Sequence, residues 1–407
     1  MPVYAPPQSN HSGTRNVTVL AVSLFGLALG EELWQAYLPA YLASLGAGAV
    51  AVGLFGSSKD LLDSVYQYPG GWLADRLGRR RALMIFTALA TAGYVLYAAA
   101  PSWPFVFVGL LGVMAWRAGA FPTTFAVIGD SLPRERRAVA FAVQSTLIRV
   151  PRVIGAPLGG LAIVSFGIAA GIRLTFAITI AVAILVMIVQ YYGFRDADRR
   201  SDSIERPNAH AVFGGMPIHL KQLLVADCLV RIGEGVATSF IVLFVLQVRQ
   251  FSAADYGLLY AVQQAVSIAF YLPGGRLADV MGRRWMVVLT FLFFAAFPLA
   301  VRLAASYPQL VAAFVIGGFK EIGEPARKSM IVDFAPDHTR ASTVGVYYGI
   351  RNLLVVPAGL IGGLLWTRDP HLPLEVACVI SLIGCAVFAF TGSRVPYALG
   401  RTKRGPV

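Results

Sequence analysis

Ionisable side chains fall inside apolar segments of this chain, where they could bind protons or charged molecules. Eight acidic and ten basic residues lie within stretches long and apolar enough to cross a membrane. An ionisable group at membrane depth costs at least about 2.5–3.5 kcal/mol on insertion scales, so each one is a functional hypothesis. Three pairs are spaced four apart on one helical face and could neutralise each other: Lys59 with Asp63, Asp227 with Arg231, and Glu324 with Lys328.

Four buried carboxylates are candidates for proton coupling, namely Glu31, Glu32, Glu234 and Glu324. Burial favours the neutral form of a carboxyl group, and a nearby cation favours the charged form. A carboxyl whose cationic partner moves can therefore bind and release a proton during a conformational change. Glu31 and Glu32 point about 100° apart on a helix, so we do not expect them to share one role. Fixed salt bridges between helices are the alternative interpretation of Glu31 and Glu234.

The composition excludes most soluble proteins. Of the 407 residues, 57% are hydrophobic and 14% are charged, whereas a soluble domain usually carries about 25% charged residues. The net charge of +13 comes from basic residues scattered between apolar runs, which argues against a nucleic-acid partner. Three cysteines in apolar stretches and histidines without ligand spacing predict neither a disulfide framework nor a metal site. The sequence has no nucleotide-binding, metalloprotease or serine-hydrolase motif, so we expect no cofactor and no enzyme activity.

Twelve segments are predicted to be membrane helices, because each holds about 20 mostly apolar residues. They are 17–44, 49–72, 81–100, 104–129, 138–165, 168–193, 218–247, 254–277, 285–306, 309–334, 341–366 and 373–393. Lys and Arg are concentrated in alternate loops, with twenty on the side of the N-terminus and four on the other side. The positive-inside rule then predicts a multi-pass protein of the plasma (inner) membrane with both termini in the cytoplasm.

The longest polar stretch divides the chain into two halves. The expected parts are a cytoplasmic tail at 1–16, a six-helix bundle at 17–193, a cytoplasmic linker at 194–217, a six-helix bundle at 218–393 and a cytoplasmic tail at 394–407. The two halves also repeat each other. The run PGGWLADRLGRRR begins at Pro69, and PGGRLADVMGRRW begins at Pro273. At an offset of 203, three further pairs align: Glu31 with Glu234, Arg117 with Lys320, and Asp130 with Asp333.

Over essentially its whole length the sequence resembles the major facilitator superfamily of secondary transporters. The GxLADRxGRR pattern between the second and third spans is that superfamily's best-known signature. Its residues here are Gly71, Asp75, Arg76, Gly78, Arg79 and Arg80, and the second copy keeps Asp279 and Arg283 but has Val280 in place of Arg76. The resemblance implies an all-α membrane protein with twelve transmembrane helices in two pseudo-symmetric six-helix bundles.

The signature residues could form a gate on the cytoplasmic side. Glycines permit close helix packing and a tight turn, and an aspartate at a helix end can accept from the N-terminal amides of a neighbouring helix. Arginines could pair with Asp130 at the end of another helix. We therefore expect a latch that favours the outward-open state, built from Gly71, Asp75, Arg76, Gly78, Arg79, Arg80, Asp130, Asp279 and Arg283. The alternative is that the arginines only anchor the loop on the positive side.

The resemblance also implies that spans one, four, seven and ten line a central cavity near the membrane midplane. Glu31 and Glu234 would then face the substrate path together with Arg117 and Lys320. The expected cavity residues are Arg117, Lys320, Gln35, Trp34, Arg149, Arg152, Gln264 and Tyr348. Packing against lipid is the alternative for the aromatic members of this set.

These features predict a monomeric transporter in the lipid bilayer that moves a small molecule by alternating access, driven by protons. Export by antiport of a drug-like or metabolite substrate is the first expectation, because GAPLGG at Gly155–Gly160 is similar to an antiporter motif of the superfamily. Import of an anionic or zwitterionic nutrient with protons is the alternative, because buried bases outnumber buried acids. A membrane sensor without transport activity is the third.

Overall fold

Every regular element in the computed structural model is a helix, within the residues that it describes: 11–120, 123–124, 127, 134–194, 209–336 and 340–391. The first half contains α1 (His11–Glu32), α2 (Leu38–Ser44), α3 (Ala49–Leu77), α4 (Arg79–Ala99), α5 (Trp103–Met114), α6 (Arg134–Phe166) and α7 (Ile168–Gly193). The second half contains α8 (Ala209–Gly214), α9 (Ile218–Leu243), α10 (Ala253–Met281), α11 (Arg283–Leu303), α12 (Tyr307–Gly318), α13 (Glu324–Phe334), α14 (Arg340–Val355), α15 (Ala358–Trp366) and α16 (Leu372–Thr391).

These helices make six membrane crossings in each half of the chain, which confirms the expected architecture of two six-helix bundles. In the first bundle α1 and α2 together form one crossing. In the second, α12 with α13 and α14 with α15 do the same. Within the described residues, seven helices are long and apolar enough to cross a membrane by composition alone. Helix α3 is not among them because it carries Lys59, Asp60, Asp63 and an internal Pro69.

Four crossings contain a short turn that departs from α-helical geometry. A 3₁₀ turn at Gln35–Tyr37 separates α1 from α2, and another at Phe319–Glu321 follows α12. Wider π turns follow α5 at Ala115–Gly119 and α9 at Phe244–Val248. Two of the four turns contain charged residues singled out above, Arg117 in one and Lys320 in the other. Such irregular backbone in a membrane segment is found where it lines a cavity or is buried in protein.

Aromatic side chains fill the interior of the first bundle. Trp34 is 2% exposed, and its ring centroid lies 5.9 Å from that of Tyr94, 5.7 Å from that of Tyr97 and 5.2 Å from that of Phe176. Its indole N–H donates to the hydroxyl of Thr179 at 3.2 Å. This side chain, expected in the substrate cavity, therefore belongs to the packed core between α1, α4 and α7.

The two bundles touch at the membrane face that lies away from the chain termini, called the opposite face below. A Cβ placed on Gly363 of α15 would lie 2.7 Å from the carbonyl oxygen of Ala49, at the start of α3. The Tyr37 hydroxyl donates to the carbonyl of Ala156 in α6 at 2.7 Å and lies 2.9 Å from the carbonyl of Ala253 in α10. Close packing at glycines and this tyrosine hold the bundles together there.

Some predictions fall on residues outside the described part of the chain. Asp130 is one of them, as are most of the predicted linker and both ends of the chain. Gly71, Asp75 and Asp279 lie in helices, but their side chains are outside the description. The boundaries of the bundles, linker and tails therefore stay a prediction.

Candidate substrate and proton site

Two adjoining cavities of about 380 Å³ and about 260 Å³ lie between the bundles. They share Glu234, Thr238, Tyr256 and Tyr260 in their walls. The larger cavity is lined by α3 and the 3₁₀ turn of the first bundle and by α9, α10 and α14 of the second. The smaller one is lined by α6 of the first bundle and by α9, α10 and the turn after α12. Charged side chains from both bundles thus meet in one internal space.

Glu31 lies in the last turn of α1 and is 5% exposed. The hydroxyl of Tyr94 donates to its Oε1 at 2.6 Å, and Nη1 of Arg117 lies 3.3 Å from its Oε2. The same Arg117 nitrogen also donates to Oε1 of Gln35, which faces the larger cavity. A chain of polar contacts therefore runs from the interior of the first bundle to the cavity wall. It passes from the phenol of Tyr94 to the carboxylate of Glu31, the guanidinium of Arg117 and the amide of Gln35.

Glu234 occupies the equivalent place in the second bundle, on α9. Its Oε1 lies 2.9 Å from Nζ of Lys320, and its Oε2 accepts from Nη1 of Arg231 at 2.8 Å. Unlike Glu31, it lines both cavities. Two cations therefore contact one carboxylate, and one of them, Arg231, also lies 3.6 Å from Glu324 and 3.9 Å from Asp227.

The backbone departs from α-helical geometry at Arg117 and at Lys320, the cationic partners of Glu31 and Glu234. Arg117 lies in the π turn Ala115–Gly119, and Lys320 lies in the 3₁₀ turn Phe319–Glu321. The repeat that aligned these two residues in the sequence thus also aligns two breaks in helical geometry. Single π and 3₁₀ turns inside helices often mark functional sites or hinges. The breaks place both cations beside the carboxylates of α1 and α9.

A second ion network lies behind Glu234, on the side of α13. Arg327 is 2% exposed and donates to both oxygens of Glu324, with contacts of 2.6 to 2.9 Å. It also pairs with Asp227 of α9, which is 1% exposed and accepts from the hydroxyl of Tyr347 at 3.0 Å. Three hydrogen bonds from one guanidinium thus hold both oxygens of Glu324, and Arg327 is its main cationic partner.

The remaining predicted cavity residues divide into two groups. Arg149, Arg152 and Gln264 line the smaller cavity. Arg152 also pairs with Glu32, with Nε 3.2 Å from Oε1, so Glu32 has a partner different from that of Glu31. Tyr348 is instead stacked under the guanidinium of Arg351, with the ring centroid 4.6 Å from Cζ.

The expected helix-internal pairs are found in two of three cases. Asp227 lies 3.9 Å from Arg231, and Glu324 lies 3.5 Å from Lys328. Between the described side chains of Lys59 and Asp63 there is no ion pair within 4.0 Å; both residues line the larger cavity with Asp60. The spacing of Lys59 and Asp63 indicates a shared helical face, but it does not predict that this face lines a cavity.

The gate motif is partly visible at the membrane face that carries the termini. In the second bundle Arg283 forms an ion pair with Asp333, the residue aligned with Asp130. In the first, Arg76 lies over the ring of Trp72 at 4.5 Å, and Arg80 lies over the ring of Tyr191 at 4.9 Å. Arg79 opens α4, directly after the positive-φ residue Gly78 (φ 85°). A glycine is required there because other residues rarely adopt this φ.

Within the described residues, no group of three or more His, Cys, Asp or Glu side chains is arranged to hold a metal ion. Cys228, Cys378 and Cys385 are buried free thiols. The arrangement in and beside the cavities is one of partly buried ion pairs. It can bind a charged or polar molecule and can take up a proton where a carboxylate loses its cationic partner.

Comparison with known proteins gives matches along the whole chain. The family model described as Major Facilitator Superfamily matches residues 20–226 and again residues 223–405. An uncharacterized MFS-type transporter of Methanocaldococcus jannaschii is 21% identical over 384 residues, which cover 93% of this chain and 95% of that protein. A multi-drug resistance efflux pump PmrA homolog of Lactococcus lactis is 22% identical over 369 residues, which cover 86% and 87%.

A similar fold is found among solved structures. The crystal structure of a bacterial homolog to the human lysosomal transporter Spinster, in an inward-facing and unoccupied conformation, aligns with a TM-score of 0.78. The alignment covers 95% of this chain and 98% of that chain at 18% sequence identity. At this level of identity the likeness is one of fold.

Proposed function

Because the chain belongs to the Major Facilitator Superfamily, we propose that this transporter of the MFS type exchanges protons for a small molecule by alternating access. The observation that carries the proposal is the pair of equivalent carboxylates, Glu31 and Glu234, each beside a cation that lies at a break in its helix. A buried carboxylate next to a movable cation is the kind of group that can link proton binding to conformation. Glu32 and Glu324 are secondary proton sites in this proposal.

The proposed direction is export of a drug-like or metabolite substrate. A relative over most of the chain carries the name multi-drug resistance efflux pump homolog, which supports this direction. The substrate would bind in the two cavities, in contact with Gln35, Arg149, Arg152, Gln264 and Lys320. Aromatic rings of Tyr256 and Tyr260 in the shared wall offer apolar contact area for such a molecule.

The proposed setting is the plasma membrane, with a monomeric protein and both termini in the cytoplasm. This orientation is supported by twenty basic residues in the loops on the terminal side and four in the others. In this orientation the bundle contact at the opposite face closes the outer side, and the cavities belong to the inward-facing half of the cycle.

A second candidate function is proton-coupled import of an anionic or zwitterionic molecule. It is favoured by the charge of the cavity walls, where six cations face four carboxylates. The cations are Lys59, Arg149, Arg152, Arg231, Lys320 and Arg351, and the carboxylates are Asp60, Asp63, Glu234 and Glu321.

The test is flux in proteoliposomes with an imposed pH gradient. Efflux antiport predicts that ethidium, a fluorescent drug-like cation, moves in the direction opposite to the protons. Its flux should saturate with ethidium concentration. Symport predicts that a radiolabelled zwitterionic amino acid moves with the protons instead. A protein that moves no compound of either kind under any gradient, and whose presence leaves the proton leak unchanged, would be a sensor and the proposal would be wrong.

A further inference from the structure

The smaller cavity holds hydrogen-bond donors that no described residue uses. Arg149 and Arg152 stand three residues apart on α6, so their side chains share one face of that helix. Both line this cavity, and their side chains are 23% and 33% exposed. A guanidinium carries five N–H donors and no acceptor. Within the part of the chain that the structure describes, the Arg149 side chain makes no hydrogen bond and that of Arg152 makes one, through Nε.

Both guanidinium groups are nevertheless held in place. Nε of Arg152 donates to Oε1 of Glu32 at 3.2 Å, which leaves its two terminal nitrogens available. Cζ of Arg149 lies 4.3 Å from the ring centroid of Tyr271, so one face of this group is stacked and its N–H edge stays available. Nη2 of Arg149 lies 3.7 Å from Oε2 of Glu321, which is too long for a hydrogen bond. Donors that are fixed before a ligand arrives lose little freedom when they bind it.

Helix α10 adds further polar groups to the wall of this cavity. Gln263 and Ser267 are 8% and 5% exposed and line the cavity. Neither side chain has a hydrogen-bond partner among the described residues, and the hydroxyl of Tyr260 has none among them either. A buried polar group without a partner costs free energy. These groups are therefore suited to contact a polar ligand, or water, inside the cavity.

The charges of the wall favour a ligand with a single negative charge. The smaller cavity is lined by three cations, Arg149, Arg152 and Lys320, and by two carboxylates, Glu234 and Glu321. Glu234 is already bound by Lys320, with 2.9 Å between Oε1 and Nζ. The wall therefore carries one positive charge in excess, beside the available guanidinium donors. Such donors bind a carboxylate through two parallel hydrogen bonds.

Aromatic rings form the rest of the cavity wall. The ring centroid of Tyr256 lies 6.4 Å from that of Tyr260 and 6.0 Å from that of Phe314, and Phe314 lies 5.4 Å from Phe297. All four rings line the smaller cavity. They offer contact area to an aromatic or other apolar body. The cavity thus has a cationic side on α6 and an aromatic side on α10, α11 and α12.

We propose that the smaller cavity is the subsite for the anionic end of the transported molecule. A carboxylate, or another oxyanion with one charge, binds to Arg149 and Arg152, and its apolar body lies against Tyr256, Tyr260 and Phe314. The substrate class is an organic anion with an aromatic or other apolar body, for either direction of transport. This inference rests on the proposed transport of a small molecule and adds the chemical class of that molecule.

The experiment measures equilibrium binding to the purified protein in detergent, without a proton gradient. The probe is naphthoate, an aromatic carboxylate, and the matched ligand is its uncharged amide, naphthamide. Isothermal titration calorimetry gives the affinity for each in the wild type and in Arg149→Gln, Arg152→Gln and Arg152→Lys. Arg302→Gln is the control. Arg302 is 32% exposed, close to the 33% of Arg152, but it pairs with Glu375 outside both cavities.

We expect the wild type to bind naphthoate on the order of tenfold or more tightly than naphthamide. Arg149→Gln and Arg152→Gln should each weaken naphthoate binding on the order of 10- to 100-fold and leave naphthamide binding nearly unchanged. Arg152→Lys should keep only part of the affinity, because an ammonium retains the charge but not the planar pair of donors. Acetate has the charge without the apolar body, so it should displace naphthoate only at concentrations on the order of tenfold higher or more.

Three results would overturn the inference. They are equal affinity of the wild type for naphthoate and naphthamide, naphthoate affinity that is unchanged in both glutamine variants, and an equal loss of affinity in Arg302→Gln. Displacement of naphthoate by an equal concentration of acetate would contradict the role of the aromatic side. Circular dichroism and size exclusion identify a variant that fails to fold, and Arg152→Lys then decides.

The outcome is separate from that of the proposed function. Naphthoate binding that depends on Arg152, in a protein that transports no compound under any gradient, would uphold the inference and contradict the transport proposal. Saturable flux of ethidium, in a protein that does not bind naphthoate, would contradict the inference and leave the transport proposal standing.

Discussion

The ammonium group of Lys320 lies 2.9 Å from Oε1 of Glu234, so the break after α12 is joined by charge to the middle of α9. The same relationship occurs 203 residues earlier, between Arg117 in its π turn and Glu31. In each bundle a cation is thus held at the point where regular helical hydrogen bonding is interrupted. A cation at such a point can move with little cost to the rest of its helix, which makes the pair suitable for exchange during transport.

The first prediction concerns these two carboxylates. Glu31→Gln and Glu234→Gln should each abolish proton-coupled flux in proteoliposomes, because a neutral amide can neither release a proton nor be paired by the cation. Glu375→Gln removes a carboxylate that is 38% exposed and lies outside the cavities, so it should transport like the wild type. Full coupling in both Glu31→Gln and Glu234→Gln would exclude these carboxylates as proton sites.

The second prediction concerns stability. Arg327→Met should destabilise the protein by about 3–5 kcal/mol, because Asp227 and Glu324 would remain buried without their main cationic partner. Arg283→Met is the matched control, since the pair of Arg283 with Asp333 is 48% exposed at both side chains and such pairs contribute about 0–1 kcal/mol. Unfolding of both variants in detergent can be followed by circular dichroism. An equal loss of stability in the two variants would contradict the structural role of Arg327.

The third prediction concerns closure at the opposite face. Gly53→Ala should open this face, because a Cβ at Gly53 would overlap the carbonyl group of Gly359 in the other bundle. Overpacking of this kind typically costs about 1–3 kcal/mol, enough to shift a two-state equilibrium by about 5- to 150-fold. Gly48→Ala is the control, because a Cβ there would meet no atom within 4 Å. Nitroxide labels at Ser44→Cys and Thr367→Cys, two exposed positions at the opposite face, report the distance between the bundles, and an unchanged distance in Gly53→Ala would show that the contact is not needed for closure.

The fourth prediction concerns the proposed latch at the terminal face. Asp75→Asn should increase opening at this face, because the amide cannot complement a helix dipole by charge. Nitroxide labels at Tyr192→Cys and Phe390→Cys, two exposed positions at the ends of α7 and α16, would report a longer distance between the bundles. Asp255→Asn alters a capping box at the start of α10 and should leave that distance unchanged. If the distance is the same with Asp75 and with Asn, the signature acts only as an anchor.

Much of the fold could be predicted from the sequence, because a membrane span is a local property. Long apolar runs between charged loops indicate the helices. The repeat aligns Glu31 with Glu234 and Arg117 with Lys320. In the structure these residues form two equivalent pairs, Glu31 with Arg117 and Glu234 with Lys320. The breaks at Gln35–Tyr37, Ala115–Gly119 and Phe319–Glu321 were not predicted. Such breaks depend on tertiary contacts that hydropathy does not describe.

The partners of individual charges were predicted less well. Spacing favoured Arg231 for Asp227, but Arg231 lies 2.8 Å from Glu234 and 3.9 Å from Asp227. On a helix, a side chain can contact residues both three and four positions away. Packing against the surrounding helices determines which of the two contacts is shorter. Arg149 was assigned to the cavity, yet its pairing with Glu321 was not foreseen. Contacts between bundles depend on how the halves dock, and local periodicity carries no information on this docking.

The indole of Trp34 gives the first bundle an optical reporter of its own. It is enclosed by Tyr94, Tyr97 and Phe176, and the Tyr94 hydroxyl donates to Glu31. Tryptophan emission responds to the electric field around the ring, and a change of charge at Glu31 acts on that field through Tyr94. A protein that keeps Trp34 and has phenylalanine at the other five tryptophans would therefore register events at this carboxylate as a shift in fluorescence, without any attached dye.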